Sequence, residues 1–230
     1  MTRPLTIALP SKGRLMEQAG EMFEAAGFRL DRTGAGRGYQ GKLNGLPDAE
    51  DLEVAYLSAT EIAHLLREGK IDLGITGEDL LQEHIPNLAD VIAIPKRLGF
   101  GRADVIVAVP ECWLDVATMS DLDEVALAYH ARHGRRLRVA TKYVNLTRRF
   151  FAEQGVRGYR IVESLGATEG APAAGTAEVI VDITSTGATL EANHLKILDD
   201  GVILKSEAVI GVYLSAMRDA RLQAILAKLA

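Results

Sequence analysis

The chain has 230 residues, 48% of them hydrophobic and 25% charged, with a formal charge of -5, which excludes a disordered or fibrous class and argues against a dedicated nucleic-acid binder with a basic face. Its one cysteine, Cys112, excludes an internal disulfide and makes no zinc pattern. No apolar stretch approaches the roughly 20 residues of a spanning helix, and Met1 to Pro4 lead directly into a strand-like run with no room for a secretory leader, so the cytoplasm is the expected address.

Leu5 to Leu9 reads as a strand, followed by a helix whose apolar face is Leu15, Met16, Ala19, Met22, Phe23 and Ala26, ended by Gly27. Leu52 to Leu57 is a second strand, and Ser58-Ala-Thr-Glu61 has the spacing of a capping box opening a helix to Arg67. Ile71 to Ile75 is a third strand; Thr76 to Asp79 opens a short helix ending near His84, and a connecting strand spans Val91 to Ile94. The pattern repeats: strand Asp104 to Val109, helix Asp121 to His133, strand Leu137 to Thr141, helix Asn145 to Gln154, strand Tyr159 to Glu163. A short helix is expected over Glu169 to Ala174, then a strand ending at Asp182, extended chain over Leu195 to Leu198 and Val202 to Leu214, and a last amphipathic helix from Met217 to Leu229. Alternating strands and helices define an α/β class with mainly parallel sheets and crossover helices. The break at Pro95 to Gly101 suggests two lobes, one of residues 1–96 plus 197–230 and the other of residues 97–196.

Two strand-to-helix loops carry anion chemistry. In the first, Val179 to Val181 form a buried strand closed by Asp182, and Thr184 to Gly187 lead into Ala188, Thr189 and Leu190 as a helix start. Free backbone N–H groups and the hydroxyls of Ser185, Thr186 and Thr189 suit a phosphate. Asp182, being negative, suits a neighbouring sugar hydroxyl or a magnesium-bound water. The same pattern also fits an ordinary capped turn. In the second loop, Pro10 to Leu15, Lys12 offers a point charge and Arg14 a planar fork to phosphate oxygens, although two basic loop residues are also commonly just solvated. Ligands of open α/β sheets bind beyond the carboxyl ends of strands, where both loops fall.

The chain resembles the ATP phosphoribosyltransferases in their short form, from Leu5 to about Val209. The residues that carry the resemblance are Lys12-Gly-Arg-Leu15, Asp72-Leu-Gly-Ile-Thr-Gly77, Arg138-Val-Ala-Thr-Lys142, Glu169-Gly-Ala-Pro172 with Gly175, and Asp182 to Leu190. The resemblance implies a two-lobed fold like that of type II periplasmic binding proteins. It also implies transfer of the phosphoribosyl group of phosphoribosyl pyrophosphate (PRPP) to N1 of the adenine of ATP, the first step of histidine biosynthesis. PRPP would lie on the second lobe, its 5-phosphate on Thr184, Ser185, Thr186, Gly187, Ala188 and Thr189 and its ribose hydroxyls near Asp182, with Glu169 as the second acid. ATP would lie toward the first lobe, at Lys12, Gly13, Arg14, Arg37 and Gly77. Asp182, Glu169, Lys12 and Arg14 would carry catalysis. Magnesium would arrive on the substrates, with no direct protein ligand.

The short form also implies a homodimer within a hetero-oligomer with a regulatory subunit similar to histidyl-tRNA synthetase, and no fused C-terminal regulatory domain. One departure stands out: many members place an arginine where this chain has Ser58. Arg37, Lys42 and Arg97 are the candidates to replace its charge. The competing reading is a catalytically silent nucleotide- or solute-binding module of the same fold. The five histidines are too scattered for a metal site and read mostly as surface helix residues, His194 being the one nearest the phosphate loop. The run Arg135, Arg136 and Arg138 reads as solvated or facing a partner chain.

Overall fold

A computed structural model describes residues 4–33, 39–46, 52–164 and 166–229. The chain divides into two compact units, residues 1–101 with 207–230 and residues 102–206. The first holds a seven-stranded sheet. Its strands are β1 (Leu5–Pro10), β2 (Arg29–Thr33), β3 (Gln40–Asn44), β4 (Leu52–Leu57), β5 (Leu73–Gly77), β6 (Ile92–Arg97) and β12 (Ala208–Tyr213), in the order β2-β3-β4-β1-β5-β12-β6. Side chains alternate across it, as the two-residue period of a strand requires. Leu5, Ile7 and Leu9 of β1 join the core formed with Phe23 of α1 (Gly13–Ala25) and with Leu222 and Ile225 of α8 (Ala220–Leu229). Ala8 faces the other way, into a second core with Ile62 and Leu66 of α2 (Ala59–Arg67) and Leu81 of α3 (Glu78–His84). Phe23 is fully buried, so truncating it to alanine would cost about 3–5 kcal/mol.

The second unit is built on β7 (Ala103–Pro110), β8 (Leu137–Thr141), β9 (Tyr159–Glu163), β10 (Val179–Thr184) and β11 (Leu195–Ser206), ordered β11-β7-β10-β8-β9. Ile106, Ala108, Ala140 and Ile180 form one core with Leu190. Their neighbours Val107, Val139, Val179 and Val181 are equally buried, on the opposite face of the strands. The helices are α5 (Met119–His133) and α6 (Val144–Glu153), with a five-residue α7 (Ala188–Ala192). The capping box sits on α5, where the Thr118 hydroxyl accepts from Asp121 N at 3.2 Å and Asp121 Oδ2 accepts from Thr118 N at 2.8 Å. Helix α4 (Leu88–Val91) is a single turn ahead of β6.

The α/β class and the two-unit organisation hold, but the sheets are mixed rather than mainly parallel. Among the described residues β1 pairs in parallel with β4 and β5, and β8 with β9 and β10, whereas the remaining ladders are antiparallel. The antiparallel share comes from the β2–β3 hairpin, and from β12, which returns from the second unit to lie between β5 and β6. The helix expected over Glu169 to Ala174 is a 3-10 turn at Thr168–Gly170 followed by further turns, because Pro172 has no N–H to continue a helix.

Candidate functional site

In the first unit, parallel pairing gathers three loops at one edge. Pro10 of β1 is registered with Leu57 of β4, and Ser11 N donates to Leu57 O at 2.8 Å. The carboxyl ends of β1, β4 and β5 therefore bring together the Lys12 loop, Ser58 and Gly77. Lys12 is the N-cap of α1, with extended backbone and no side-chain cap, and no acid occupies the first turn of that 13-residue helix. Gly13 adopts a φ of +74°, the left-handed region that favours glycine. Lys12 and Arg14 are exposed, and neither has a carboxylate partner among the described residues. A bare helix N-terminus with two uncompensated cations attracts an anion.

The three residues proposed to stand in for the missing arginine fare differently. Ser58 caps α2 by accepting from Glu61 N at 3.2 Å, a role that adds no charge. Arg97 is bound by both oxygens of the buried Glu78 carboxylate, with Nη2 2.7 Å from Oε1. That pairing raises the Arg97 pKa, the hydrogen bond to Glu78 acting first and its charge second. Lys42, on β3, lines a cavity of about 350 Å³ with Thr6, Gln40 and Glu53. Arg37 lies outside the described residues. A Cβ at Gly77 would lie 2.2 Å from Asp79 Oδ1, so the Asp79 side chain would have to shift to admit one. One cation with no sequence signal appears here as well. Arg32 lies 3.8 Å from the centre of the Tyr56 ring, and its Nη2 donates to Met16 Sδ at 3.0 Å, beside the first turns of α1.

In the second unit Asp182 ends the buried part of β10, its side chain 13% exposed. Its Oδ1 accepts from Ile183 N at 2.8 Å and lies 3.5 Å from Lys142 Nζ. Lys142 is placed by pairing: β8 and β10 are parallel with Thr141 opposite Val181, so the residue after Thr141 flanks Asp182. The loop beyond is closed on itself. Gly187, at φ +78°, donates its N–H to Thr184 Oγ1 at 2.9 Å, and Ala188 N approaches Thr186 Oγ1 at 3.4 Å. The hydroxyls of Ser185, Thr186 and Thr189 belong to exposed residues. Helix α7 has only five residues, so any anion held here depends on the amides and hydroxyls of the loop more than on a macrodipole. Glu169 is half-buried on the 3-10 turn, which packs against β10. Thr168 beside it is fully buried and donates to Ser164 Oγ at 3.1 Å, fixing that turn.

The unit is held from behind by Glu178. Its carboxylate accepts from Arg138 N at 2.7 Å, Arg138 Nη2 at 2.6 Å and the Tyr129 hydroxyl at 2.9 Å. Burial pushes its pKa up, but the Arg138 side chain and backbone and the Tyr129 hydroxyl outweigh that and hold it below the ordinary glutamate value. Two of the three arginines read as solvated are therefore engaged: Arg138, and Arg135 at 3.8 Å from Glu178. The histidines also need correction. His64 and His84 are half-buried neighbours, with ring centres 4.3 Å apart and ring planes tilted by 39°. Burial, and then the charges of His64 and Arg67, lower the His84 pKa. His194 closes α7 at φ +54°, which accounts for its place without a ligand role. Among the described residues no three His, Cys, Asp or Glu side chains converge as metal ligands, and no helix is long and apolar enough to cross a membrane.

Two α/β units with mixed sheets define the class: the architecture of type II periplasmic binding proteins. The arginine-bound, truncated ArgBP of Thermotoga maritima has this fold, with a TM-score of 0.51 at 15% identity over 98% of this chain and 92% of that one. A closer likeness is the ATP phosphoribosyl transferase (HisG:HisZ) complex from Thermotoga maritima, with a TM-score of 0.71 at 26% identity over 98% of this chain and 96% of the other. The family model for ATP phosphoribosyltransferase (HisG) matches residues 58–230. The ATP phosphoribosyltransferase of Chelativorans sp. (strain BNC1) is 57% identical over 227 residues, 97% of both chains. That of Rhodopseudomonas palustris (strain BisB18) is 59% identical over 208 residues, 90% of this chain, and this chain spans 63% of its length. The chain belongs to the ATP phosphoribosyltransferase family.

Proposed function

We propose that the chain is the catalytic subunit of an ATP phosphoribosyltransferase, joining N1 of the adenine of ATP to the anomeric carbon of PRPP in the first step of histidine biosynthesis. The observation that carries this reading is the contrast between a loop of neutral donors beside an acid, Asp182 to Thr189, and a loop of two unpaired cations on a helix N-terminus, Lys12 to Arg14. The 5-phosphate of PRPP sits on the amides and hydroxyls from Thr184 to Thr189, and its ribose hydroxyls donate to Asp182 and Glu169. The ATP triphosphate sits at Lys12, Gly13 and Arg14, with Arg37 and Gly77 as further contacts. PRPP thus belongs to the second lobe and ATP to the first.

In the reaction the N1–C1 bond forms as the bond from C1 to pyrophosphate oxygen breaks, with inversion at that carbon. Adenine N1 has a free lone pair at neutral pH, so no side chain must remove a proton from the nucleophile. The barrier is set by aligning two polyanions and stabilising the charge that grows on pyrophosphate while the sugar becomes cationic. Lys12 and Arg14 balance negative charge on the phosphates. Asp182 and Glu169 hold the ribose and favour the cationic sugar. Asp182 is itself steadied by Lys142 at 3.5 Å. Magnesium carried by the substrates, with no direct protein ligand, would supply charge neutralisation at pyrophosphate.

A hetero-oligomer with a regulatory subunit, built on a homodimer of this chain, fits the likeness to the HisG:HisZ complex of Thermotoga maritima. The test mixes purified chain with ATP, magnesium and PRPP, following the adenine ultraviolet spectrum and pyrophosphate release with and without a candidate partner. Coupled change in both signals is the expected result. Ligand binding with neither signal, with the partner present, would make the chain a silent binding module.

A further inference from the structure

Residues 132–160 carry nine arginine or lysine side chains and a single acid, Glu153, in a chain whose formal charge is -5. Part of that charge is neutralised, by Glu178 at Arg135 and Arg138 and by Asp182 at Lys142. Three arginines remain together. Arg136, just ahead of β8, Arg148 on α6 and Arg160 on β9 line one open cavity of about 420 Å³ with Gly158, Tyr159 and Ile161. No acid lines it, and among the described residues none of the three arginines has a carboxylate partner. Three like charges brought from three separate elements to one concavity repel one another, and an anion between them would relieve that repulsion.

Strand direction separates this cavity from the phosphate loop of the same unit. β8 runs parallel to both β9 and β10. Arg136 and Gly158 therefore lie at the amino ends of β8 and β9, whereas the Asp182 to Thr189 loop leaves β10 at its carboxyl end. A five-residue strand spans about 16 Å, too far for one phosphate group to touch both places. β9 is the edge strand of its sheet, which leaves the cavity open on one side. Tyr159 forms its half-buried wall, with its ring 4.8 Å from that of Phe151.

We propose that Arg136, Arg148 and Arg160 form an accessory anion site for a phosphate-bearing small molecule, distinct from the site assigned to the substrates. Planar guanidinium forks match phosphate oxygens two at a time, and three of them around one concavity suit an oligophosphate better than a single carboxylate. The placement away from the carboxyl ends of the strands gives this site the position of an effector site.

The test is calorimetric titration of inorganic tripolyphosphate into the full chain, into a Lys12→Gln/Arg14→Gln variant and into an Arg148→Gln/Arg160→Gln variant, with hydrogen exchange followed over residues 134–161. The Lys12/Arg14 variant is expected to keep a tripolyphosphate site that slows exchange over 134–161. The Arg148/Arg160 variant is expected to lose that protection and bind there about tenfold more weakly or worse, with its melting temperature unchanged. An unchanged isotherm and unchanged protection in that variant overturn the proposal. Protection over 134–161 that follows protein concentration instead of phosphate, and disappears with salt, overturns it in favour of an acidic protein face. If the glutamine variant melts early, Arg148→Lys/Arg160→Lys replaces it: weaker tripolyphosphate binding with less protection over 134–161 supports the site, and an unchanged isotherm with unchanged protection refutes it.

Discussion

The loops after β1 and β10 occupy the same kind of place, the carboxyl end of a strand that leads into a helix, yet differ in charge and in the groups they present. After β1 the chain offers two exposed cations at the start of a 13-residue helix. After β10 it offers hydroxyls and amides, a glycine at φ +78° and a helix of five residues, with an acid at the strand end. A net positive loop tolerates a variable, highly charged ligand. A neutral loop locked by its own hydrogen bonds would favour, in the proposed function, one phosphate at one distance from a carboxylate. In the proposed reaction between two polyanions the pair is complementary, because two cationic loops would leave nothing to favour a cationic sugar.

Breaking the acid should have the largest effect. Asp182→Asn is expected to lower turnover roughly tenfold to a hundredfold, the loss of one charged hydrogen bond, with the melting temperature little changed. Steady-state kinetics beside a melting curve checks this, and near wild-type turnover would remove Asp182 from the site. Glu178→Gln probes the support behind that loop: it leaves the Arg138 guanidinium, 17% exposed, without its counter-charge and should cost about 3 kcal/mol. Because the Glu178 pKa is lowered on folding, its contribution is present above about pH 4.5 and is lost as the pH falls through the folded value. Urea unfolding at neutral and acid pH should therefore show the wild type and the variant converging as the pH drops.

Smaller effects sharpen the contrast between the loops. Gly187→Ala places a Cβ on a left-handed backbone, costing about 1–2 kcal/mol, and should weaken PRPP more than ATP in separate titrations. Thr189→Val should do the same more mildly, by about 1 kcal/mol, or roughly fivefold.

Much of this was legible in the sequence because buried strands and amphipathic helices have periods of their own. Val179 to Val181 announced β10, and the Leu15 to Ala26 stripe announced α1. The hairpin of β2 and β3 was not legible. It lies at the sheet's edge, and with Leu30 and Leu43 as its main inward residues Arg29-Leu-Asp-Arg-Thr33 reads as polar loop. Asp199-Asp200-Gly201 looked like the end of a strand, yet β11 runs through it with a break in register, because Asp200 Oδ1 accepts from Met119 N at 2.8 Å and Asp199 N donates to Ala117 O at 2.8 Å. Among the candidate residues, the local loops could be read from neighbouring positions. The partners from distant segments could not: Lys142 lies 40 positions before Asp182, and Glu178 the same distance after Arg138, joined only by the β8–β10 pairing.

The most direct measurement is a pair of binding titrations, one with PRPP and one with ATP, on two variants: Lys12→Gln/Arg14→Gln, and Thr186→Val/Thr189→Val. Each variant should lose affinity for one ligand and keep the other, ATP for the first and PRPP for the second. Equal losses of both ligands in both variants, in proteins that melt like wild type, would contradict the division of labour between the two loops.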